Sequence, residues 1–542
     1  MKKDRRPNII IFNPDQMRAD ALHHMGNPAS ITPNFDSLLA DGVSFENAYC
    51  QNPVCSPSRC SFMSGWYPHV RGHRTMHHLM KSDEPVLLKQ LKDSGYYVWM
   101  QNRNDLLPAQ ENRFSELADE IFSPSTCPSH GVIGGERGTR ESGDYYSFYR
   151  GRLSTAHGGT VEDMDQLIIN GAVEFISQRQ SDDGPFCMFI PLMYPHPPYQ
   201  VEEPYFSAID RSKLPPRRLP PDDWSNKASI LKGIYDEQGL DKWSEERWNE
   251  LRAVYLAMCM RVDHQLGQII AALKEKDLYD DSFLFVFSDH GDYTGDYGIA
   301  EKNQNTFEDP LVNVPFLIKP SKSYSVEPGK RDQLVELVDF YATVHDIAQF
   351  DYTHTQFGRS LLTVLADKAA PHRNAVFSEG GRLSQEPYCA DLGGTAILNP
   401  DNEYYPRLKQ QASAGPEHTK ATMCRTKRYK YVRRLYERDE FYDLINDPHE
   451  RHNLIDDPAL QIEIARHREI MLNWYQETCD AVPQKLDQRF NIEMLLQMRG
   501  IQLSKKNMEV LNAAFANKTI NSNTMPEIFK MVQELKKKEK ST

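Results

Sequence analysis

The chain has 542 residues, of which 39% are hydrophobic, and its formal net charge is −13. This length and apolar content are sufficient for one large α/β core with a smaller satellite. The acidic balance disfavours a general nucleic-acid binder, whose phosphate contacts need clustered Lys and Arg. The apolar runs have the length of strands rather than of a membrane span, so neither nucleic acid nor a membrane is an expected partner.

The cysteine content indicates the compartment. Nine cysteines are present, an odd number, and the apolar run after the basic N-terminus is too short for the core of a signal peptide. Both observations favour free thiols in a reducing environment. The sequence therefore predicts a cytoplasmic protein.

The N-terminal part of the chain predicts alternating strands and helices. Residues 8–12 form a continuous apolar run, of the kind that is buried on both faces of a parallel sheet, and Asp15 and Gln16 follow it. Residues 32–42 then predict a helix that ends at a glycine, and residues 43–50 predict a second strand. Polar side chains directly after a strand are significant, because ligand sites of open α/β sheets form at the carboxyl edge.

The same alternation continues to about residue 320. Residues 187–199 predict a strand that runs into a proline-rich loop carrying His196. Residues 248–275 show apolar side chains at helical spacing, and the buried strand that follows ends at Asp289 and His290. Strands that alternate with helices in this way predict a parallel sheet.

The pattern changes after about residue 370. Residues 423–444 alternate polar with apolar side chains, which is typical of antiparallel strands with one solvated face. We predict three parts: a catalytic α/β domain at 1–370, an antiparallel-sheet subdomain at 371–480 and a helical C-terminal extension at 481–542. A helix at 525–540 has an apolar stripe that would dock on the body or on a partner subunit. The sequence therefore leaves open a homo-oligomer that forms through this extension.

Cys55 lies in the segment CSPSRC and has several interpretations. Cys50 and Cys60 flank it at five-residue spacing, whereas the cysteine pairs of structural zinc sites are closer in sequence. Arg59 comes too soon after Cys55 for a phosphatase-type thiol nucleophile. The simplest interpretation of a cysteine is a small buried hydrophobic residue.

The surrounding residues point elsewhere. The segment CSPSRCSFMSG, at 55–65, resembles the signature of the sulfatases, Cys-x-Pro-x-Arg followed by a helix. Other segments resemble further parts of that family in the family's order: 7–20, 287–298 with the following Glu301-Lys302, 314–320 and 440–454. The chain is thus similar, over about residues 7–455, to the type I sulfatases of the alkaline-phosphatase-like superfamily. The resemblance implies a large mixed, mostly parallel sheet sandwiched by helices, with a smaller C-terminal α+β subdomain containing an antiparallel sheet.

The resemblance also implies that Cys55 is a precursor. In this family a formylglycine-generating maturation enzyme oxidises the cysteine to an aldehyde. The hydrated aldehyde is a geminal diol, whose one oxygen binds a divalent cation and attacks sulfur, while the other later expels inorganic sulfate. Pro57 is expected to start a helix, so residue 55 would face a helix N-terminus, which favours an alkoxide. Arg59 would then hydrogen-bond the diol oxygen.

By the same resemblance, a metal site is implied. Its ligands would be Asp15, Gln16, Asp289, His290 and the diol oxygen of residue 55. Predominantly oxygen ligands favour Ca²⁺ and leave Mg²⁺ open, and the imidazole leaves Mn²⁺ open. Many family members have a second Asp at position 16, so this site carries one negative charge fewer.

Three further residues match, or replace, family positions that contact the ester. Lys302 and His196 match positions at the sulfate and the bridging oxygen, where a cation stabilises developing charge and an imidazole protonates the departing alkoxide. Arg103 replaces the lysine of the family's Gly-Lys-x-His segment and can bind a sulfate through two hydrogen bonds.

The histidine of that same segment is missing. Asn104 or Asp105 stands in its place. Its role passes to Asp105, to His73 or to no residue, and the sequence leaves these alternatives open.

The predicted function is that of a sulfatase, a sulfuric ester hydrolase that cleaves the S–O bond of a small sulfated sugar or an aryl or steroid sulfate. The alternative is a phosphonate monoester or phosphodiester hydrolase with the same formylglycine and metal site. A binding protein whose Cys55 never matures is a third interpretation. Candidate substrate contacts are Arg74, Arg140 and Arg382 for an acidic sugar, and Tyr199 and Trp66 for a planar ring.

Overall fold

The computed structural model describes residues 6–103, 105–124, 132–133, 135–155, 161–180, 183–390, 399–485, 489–516 and 524–540. Asn104 lies outside the described residues. The chain divides into two compact units, the first made of Met1–Asp351 and Gln356–Ala481, the second of Tyr352–Thr355 and Val482–Thr542. The domain limits at 370 and 480 stay predictions.

The strands, in chain order, are β1 Asn8–Asn13, β2 Val43–Tyr49, β3 Tyr97–Gln101, β4 Glu120–Phe122, β5 Val132–Ile133, β6 Tyr149–Thr155, β7 Phe186–Pro191, β8 Tyr199–Glu202, β9 Ser282–Phe287, β10 Phe316–Lys319, β11 Gly329–Glu336, β12 Val376–Gly380, β13 Ala421–Arg425, β14 Tyr429–Arg434 and β15 Glu440–Asp443.

The α-helices are α1 Pro33–Ser37, α2 Cys55–Ser64, α3 Pro68–Arg71, α4 Leu87–Asp93, α5 Phe114–Leu117, α6 Met164–Gln178, α7 Tyr205–Ala208, α8 Ser229–Gln238, α9 Glu245–Glu275, α10 Asp309–Val312, α11 Val338–Ala348, α12 Leu362–Ala366, α13 Tyr405–Ala412, α14 Gln461–Thr478, α15 Ile492–Met498, α16 Lys505–Phe515 and α17 Met525–Lys540.

An eight-stranded sheet in the order β11-β2-β10-β9-β1-β7-β3-β4 forms the centre of the first unit. Strand β1 pairs in parallel with β7 on one side and with β9 on the other. Strand β10 runs antiparallel to both of its neighbours. The sheet is therefore mixed and mostly parallel, which confirms the predicted fold class.

Helices cover both faces of this sheet. Every residue of β1, β7 and β9 is buried, as expected for strands with no solvated face. Ile10 and Phe12 join the core formed with α6 and α9. On the other face, Phe287 contacts Phe62 of α2 and Phe340 of α11, with ring centroids 5.0 and 4.9 Å apart. The strand ends that lead into the site are thus held between two apolar layers.

The long helix α9 lies where it was predicted, but it begins a few residues before the predicted start. It runs over Glu245–Glu275 rather than from 248. The side chain of Ser244 accepts a hydrogen bond from the backbone N–H of Arg247, which caps the helix N-terminus. This cap explains the earlier start, because the apolar spacing alone marks only the buried part of a helix.

A four-stranded antiparallel sheet, β12-β13-β14-β15, lies near the C-terminal end of the first unit and confirms the predicted antiparallel subdomain sheet. The expectation of a solvated face was wrong, because most of its polar side chains are buried. Lys430 donates to the Phe307 carbonyl at 2.8 Å and to Glu450 at 2.9 Å. Arg434 donates to the Asn305 carbonyl at 2.9 Å. The polar face of this sheet packs against the segment that follows Lys302.

The second unit has a small core of its own. It is formed by Ile492, Leu496, Leu511, Phe515, Ile528, Val532 and Leu535. The predicted helix at 525–540 is present as α17. Docking of this helix on the body or on a partner subunit stays a prediction. In the described part of the chain, no helix combines the length and the apolar content needed to cross a bilayer.

Candidate active site

Cys55 is the first residue of α2, and its side chain is buried. The helix begins at Cys55 and not at Pro57 as predicted, so Pro57 lies inside the first turn. A proline is tolerated there because the N–H groups of a first turn have no partner within the helix. The helix ends at Gly65, which has a φ of 72°, a conformation that favours glycine.

Side chains from the ends of two adjacent strands meet Cys55. Asp15 follows β1, and Asp289 and His290 follow β9. The Sγ atom of Cys55 lies 3.2 Å from His290 Nε2 and 3.6 Å from Asp15 Oδ1. One ligand atom from each of these four buried residues lies within 4.8 Å of the others. The predicted metal-binding residues Asp15, Cys55, Asp289 and His290 are therefore brought together.

The chemistry of these donors fits a divalent cation. The Nδ1 atom of His290 donates to the Gly291 carbonyl at 2.9 Å, which leaves the Nε2 lone pair free for a metal. Burial raises the pKa of Asp15, but the charges of Arg103 and Lys302 outweigh it and hold the pKa well below its ordinary value. Asp15 is therefore ionised, as a metal ligand must be.

A glycine next to His290 permits this arrangement. A Cβ atom at Gly291 would lie 1.9 Å from the Pro310 carbonyl oxygen. The backbone N–H of Gly291 donates to Leu311 at 2.7 Å. The turn after β9 therefore needs a residue without a side chain at this position.

Gln16 makes two contacts in the site that the sequence did not predict. Its Nε2 donates to Asp292 at 2.5 Å, and its Oε1 accepts a hydrogen bond from Lys302 at 2.5 Å. Its φ is 67°, which is an unfavourable conformation for a residue with a side chain. The amide thus bridges Asp292 and Lys302, and metal binding by Gln16 stays a prediction.

Two arginines surround the carboxylates. Arg59 lies 3.1 Å from Asp15 Oδ2 and 2.9 Å from Asp289 Oδ2. Arg103 lies 2.5 Å from Asp15 Oδ2 and 2.9 Å from Asp105 Oδ2. Arg59 therefore ties the two strand ends together, and Arg103 links this pair to Asp105.

Lys302 and His196 complete the group. The Nζ atom of Lys302 lies 3.4 Å from Cys55 Sγ. The Nδ1 atom of His196 donates to the Pro197 carbonyl at 2.7 Å. Burial, with the charge of Lys302, lowers the pKa of His196 well below its ordinary value, although the charge of Asp15 opposes this. His196 is therefore neutral in this structure and lies within reach of the charges around Cys55.

The thiol of Cys55 is itself a poor nucleophile. Burial and the charge of Asp15 raise its pKa well above the ordinary value, against the opposing effect of Lys302. Reactive cysteines need the opposite shift, because the thiolate is the attacking species. The surroundings of Cys55 therefore argue against a thiol nucleophile.

The structure separates the two candidates for the missing histidine. Asp105 lies beside Arg103 and 3.8 Å from Arg59. His73 lies 3.1 Å from Glu84, and its Nδ1 donates to the His78 carbonyl at 2.7 Å. Asp105 is thus part of the group around Cys55, whereas the described contacts of His73 lie elsewhere.

The proposed substrate contacts are engaged with the protein. Arg74 donates to Glu386 at 2.9 Å, Arg140 donates to Asp401 at 2.6 Å, and Arg382 donates to the Ser413 carbonyl at 2.8 Å. Tyr199 donates to Asp292 at 2.8 Å, and Trp66 is buried. Of the three arginines, Arg140 has the most exposed side chain, at 49%.

Sequence reasoning missed several residues that shape the site. Asp165 accepts hydrogen bonds from the backbone N–H groups of Met193 at 2.7 Å and Tyr194 at 2.8 Å, and so fixes the loop before His196. Burial, with the charge of Glu301, raises the pKa of Tyr404 to about 12, against the opposing charge of Lys302. Asp165 and Tyr404 belong to segments distant in sequence from Cys55, so no local pattern marks them.

Comparisons with known proteins agree with this geometry. Residues 7–350 match the model of the Sulfatase family. An arylsulfatase of Clostridium perfringens is 24% identical over 406 residues, covering 69% of this chain and 81% of its own. A choline-sulfatase of Rhizobium meliloti is 24% identical over 483 residues, covering 85% of this chain and 84% of its own.

A solved structure shares the fold. The phosphonate monoester hydrolase of Silicibacter pomeroyi has a TM-score of 0.68 and 22% identity, covering 87% of this chain and 96% of its own. At this identity the likeness concerns the fold alone. The family match spans the strand ends, Cys55 and Lys302, so the chain belongs to the sulfatase family and, with its arylsulfatase and choline-sulfatase relatives, is a sulfuric ester hydrolase.

Proposed function

We propose that this enzyme hydrolyses the sulfate monoester of a small molecule by S–O cleavage, at a metal-bound formylglycine hydrate derived from Cys55. The observation that carries the proposal is the convergence on Cys55 Sγ of His290 at 3.2 Å, Lys302 at 3.4 Å and Asp15 at 3.6 Å. Two proposed metal ligands and the ammonium group of Lys302 thus surround the side chain that the family converts to an aldehyde.

Asp15, Asp289 and His290, with Gln16, would hold one divalent cation beside residue 55. When bound, this cation supplies Lewis-acid stabilisation of the negative charge on the sulfate oxygens. We propose Ca²⁺, because oxygen donors predominate, with Mg²⁺ and Mn²⁺ as the alternatives. Arg59 keeps the two carboxylates at their spacing through its bonds to both.

The remaining residues act on the ester. Lys302 and Arg103 place positive charge beside the sulfate oxygens, on which negative charge builds up in the transition state. His196, whose Nδ1–H donates a hydrogen bond to the Pro197 carbonyl, would have to be protonated at Nε2 as well before that nitrogen could give a proton to the departing alkoxide. A sulfate anion next to the ring favours its protonated form and so opposes the shift that burial imposes.

The names of two relatives support a small substrate. One relative is named an arylsulfatase and another a choline-sulfatase, and both are small-molecule names. We therefore propose a small sulfated sugar, or an aryl or steroid sulfate, as substrate. The described cysteines are free thiols, which supports a reducing, cytoplasmic setting in which a maturation enzyme must act on Cys55.

A phosphonate monoester or phosphodiester hydrolase is the second candidate. The observation that favours it is the shared fold with the phosphonate monoester hydrolase of Silicibacter pomeroyi. Both ester classes would use the same cation, the same residue 55 and the same positive side chains.

A panel of esters with one chromogenic leaving group separates the candidates. The enzyme, produced together with a maturation enzyme, is given the aryl sulfate, the phosphodiester and the phosphonate monoester. Cys55→Ala is the inactive control, and Cys60→Ala is the matched control from the same helix. Sulfate turnover that is lost only in Cys55→Ala supports the proposal. A preference for the phosphorus esters supports the second candidate, and equal turnover by Cys55→Ala contradicts both.

A further inference from the structure

A second polar cavity lies near the turn that carries Gln16 but outside the group around Cys55. Its volume is about 230 Å³. The charged and titratable residues that line it are Arg18, Asp20, Arg218, Arg252, Asp296 and His449. Cys55, Lys302 and the proposed metal ligands are not among the described residues of its wall. The cavity is therefore a separate compartment from the catalytic centre.

Positive charge exceeds negative charge in this cavity. Three arginines line it together with two aspartates. Arg18 is fully engaged, with Asp20 at 2.7 Å, Asp296 at 2.8 Å and the Tyr293 carbonyl at 2.9 Å. Burial and the charge of Arg218 lower the pKa of His449, so that ring is neutral. The two aspartates are thus shared, and the positive charge of the other arginines is incompletely matched.

Arg218 has a buried donor without a partner. Its Nη1 atom is buried and forms no hydrogen bond with any described residue. The carboxylates near its guanidinium are Asp20 at 3.8 Å and Asp296 at 4.0 Å, which is beyond hydrogen-bond distance. The Arg218 guanidinium lines the cavity without a carboxylate at hydrogen-bond distance, so it retains the capacity to bind an oxyanion that enters there.

Arg252 also lacks a carboxylate partner. Its guanidinium donates to Asn249 at 3.2 Å and forms no ion pair with a carboxylate in the described part of the chain. Burial lowers the pKa of Arg252, and the positive charges of Arg18 and Arg217 lower it further. The negative charges of Asp296 and Asp20 act in the opposite direction. Two guanidinium groups from different segments therefore line one cavity, and neither has a carboxylate within hydrogen-bond distance among the described residues.

We propose that this cavity is a second anion site, which binds a small tetrahedral oxyanion of the sulfate or phosphate type through Arg218 and Arg252. Guanidinium groups bind such oxyanions through paired, charge-assisted hydrogen bonds. The excess of positive charge disfavours a cation. The cavity is smaller than the pockets of about 300–1,000 Å³ that hold drug-sized ligands, so its occupant is a free ion or the terminal group of a larger molecule.

The anion site adjoins the support of the catalytic turn. Tyr255, which also lines the cavity, donates from its hydroxyl to the Gln16 carbonyl at 2.8 Å and accepts from the Arg18 backbone N–H at 2.9 Å. Thr294, another wall residue, donates its backbone N–H to Asp292, the partner of the Gln16 amide. An anion in the cavity thus contacts the residues that hold Gln16 in place without contacting the ester.

Diffraction from the wild-type enzyme crystallised with selenate is the direct test. Selenate has the shape and charge of sulfate, and its selenium atom gives an anomalous signal. The expected result is an anomalous peak within hydrogen-bond distance of the Arg218 and Arg252 guanidinium groups. Absence of a peak in the cavity, in crystals that show selenate elsewhere on the chain, would overturn the proposal.

A solution experiment tests whether the anion also binds at concentrations below those used in the crystal. The melting temperature is measured against sulfate, phosphate and acetate at constant ionic strength, because a ligand that binds the folded state raises it by mass action. Arg252→Gln is chosen because it removes a single described hydrogen bond and should fold, and the exposed Arg466→Gln is the charge-matched control. Sulfate and phosphate should raise the melting temperature of Arg252→Gln less than that of the wild type or the control.

Two results would contradict the site in solution. Equal rises for Arg252→Gln and Arg466→Gln would place the stabilising anion elsewhere, since the catalytic centre is intact in both. An equal response to acetate would exclude selectivity for a tetrahedral oxyanion. Neither result depends on whether the enzyme cleaves sulfate or phosphorus esters.

Discussion

Two groups of buried charges in the first unit have opposite character. Under the C-terminal sheet, Lys430 donates to Phe307, Asp309 and Glu450 at 2.7–2.9 Å, so its three N–H groups each have an oxygen acceptor. Around Cys55, Lys302 donates to the Gln16 amide oxygen at 2.5 Å, and its next partner is a thiol at 3.4 Å, a weak acceptor for an ammonium group. The first arrangement is complete within the protein. The second leaves donors and ligand atoms facing one another, which is the arrangement that a cation and an anionic substrate would complete.

The sheet also supports the centre. Arg434 and Lys430 donate to the backbone carbonyls of Asn305 and Phe307, in the segment that directly follows Lys302. These hydrogen bonds therefore fix the course of the chain after Lys302. We expect substitutions in the sheet to change the free energy of unfolding, and substitutions around Cys55 to change activity.

Lys430→Ala should have the largest effect on stability. It leaves Glu450 and Asp309 buried without their cation, a loss of about 3–5 kcal/mol in the free energy of unfolding by analogy with other broken buried ion pairs. Denaturation by urea measures it. A loss below about 1 kcal/mol would mean that this cluster does not hold the segment in place.

Lys302→Ala should show the reverse pattern. It removes positive charge from the proposed position of the sulfate, so kcat should fall about 10²–10³-fold, as for other donors to a developing negative charge. The free energy of unfolding should change less than in Lys430→Ala, because the ammonium of Lys302 has fewer oxygen partners. Steady-state kinetics and urea denaturation on the same preparations measure both. Full activity in Lys302→Ala would contradict its proposed role.

Removal of divalent cations should affect the centre alone. Dialysis against a chelator should abolish turnover and lower the free energy of unfolding, by about 2.7 kcal/mol relative to enzyme kept in cation at 100 times its dissociation constant. Ca²⁺ should restore both. Asp289→Asn should bind the cation more weakly and show a smaller gain. Unchanged turnover in the chelated enzyme would exclude the metal site.

Part of the loss of stability in acid should come from Glu308, which lies in the segment that packs against the C-terminal sheet. Burial raises the pKa of Glu308, but the charge of Lys227 outweighs it and lowers the pKa from 4.5 to about 2. This stabilisation is therefore present above pH 4.5 and is lost as the pH falls towards 2. In Glu308→Gln the free energy of unfolding should be lower at neutral pH and should depend less on pH in this window. An unchanged slope would contradict this assignment.

Sequence reasoning recovered what local patterns encode. The continuous apolar runs of β1 and β9 predicted buried strands, and the residues after them predicted a site at the carboxyl edge. The helical period predicted α9 to within a few residues of its observed start. The motif around Cys55 indicated the family, because five segments occur in the family's order.

Sequence reasoning missed what depends on distant contacts. The alternation in β13 and β14 resembled a solvated face, since nothing local shows that residues 303–309 cover it. Asp165 fixes the loop before His196 from a segment with no motif of its own. The φ of 67° at Gln16 and the bond of its amide to Lys302 arise only in the folded chain.

The fate of the water oxygen tests the central claim most directly. The matured enzyme is allowed to turn over an aryl sulfate in water enriched in oxygen-18, and the released sulfate and phenol are analysed by mass spectrometry. Cleavage of the S–O bond at the residue 55 hydrate predicts label in the sulfate and none in the phenol, with no release by Cys55→Ala. Label in the phenol, or release by Cys55→Ala at the wild-type rate, would contradict the account.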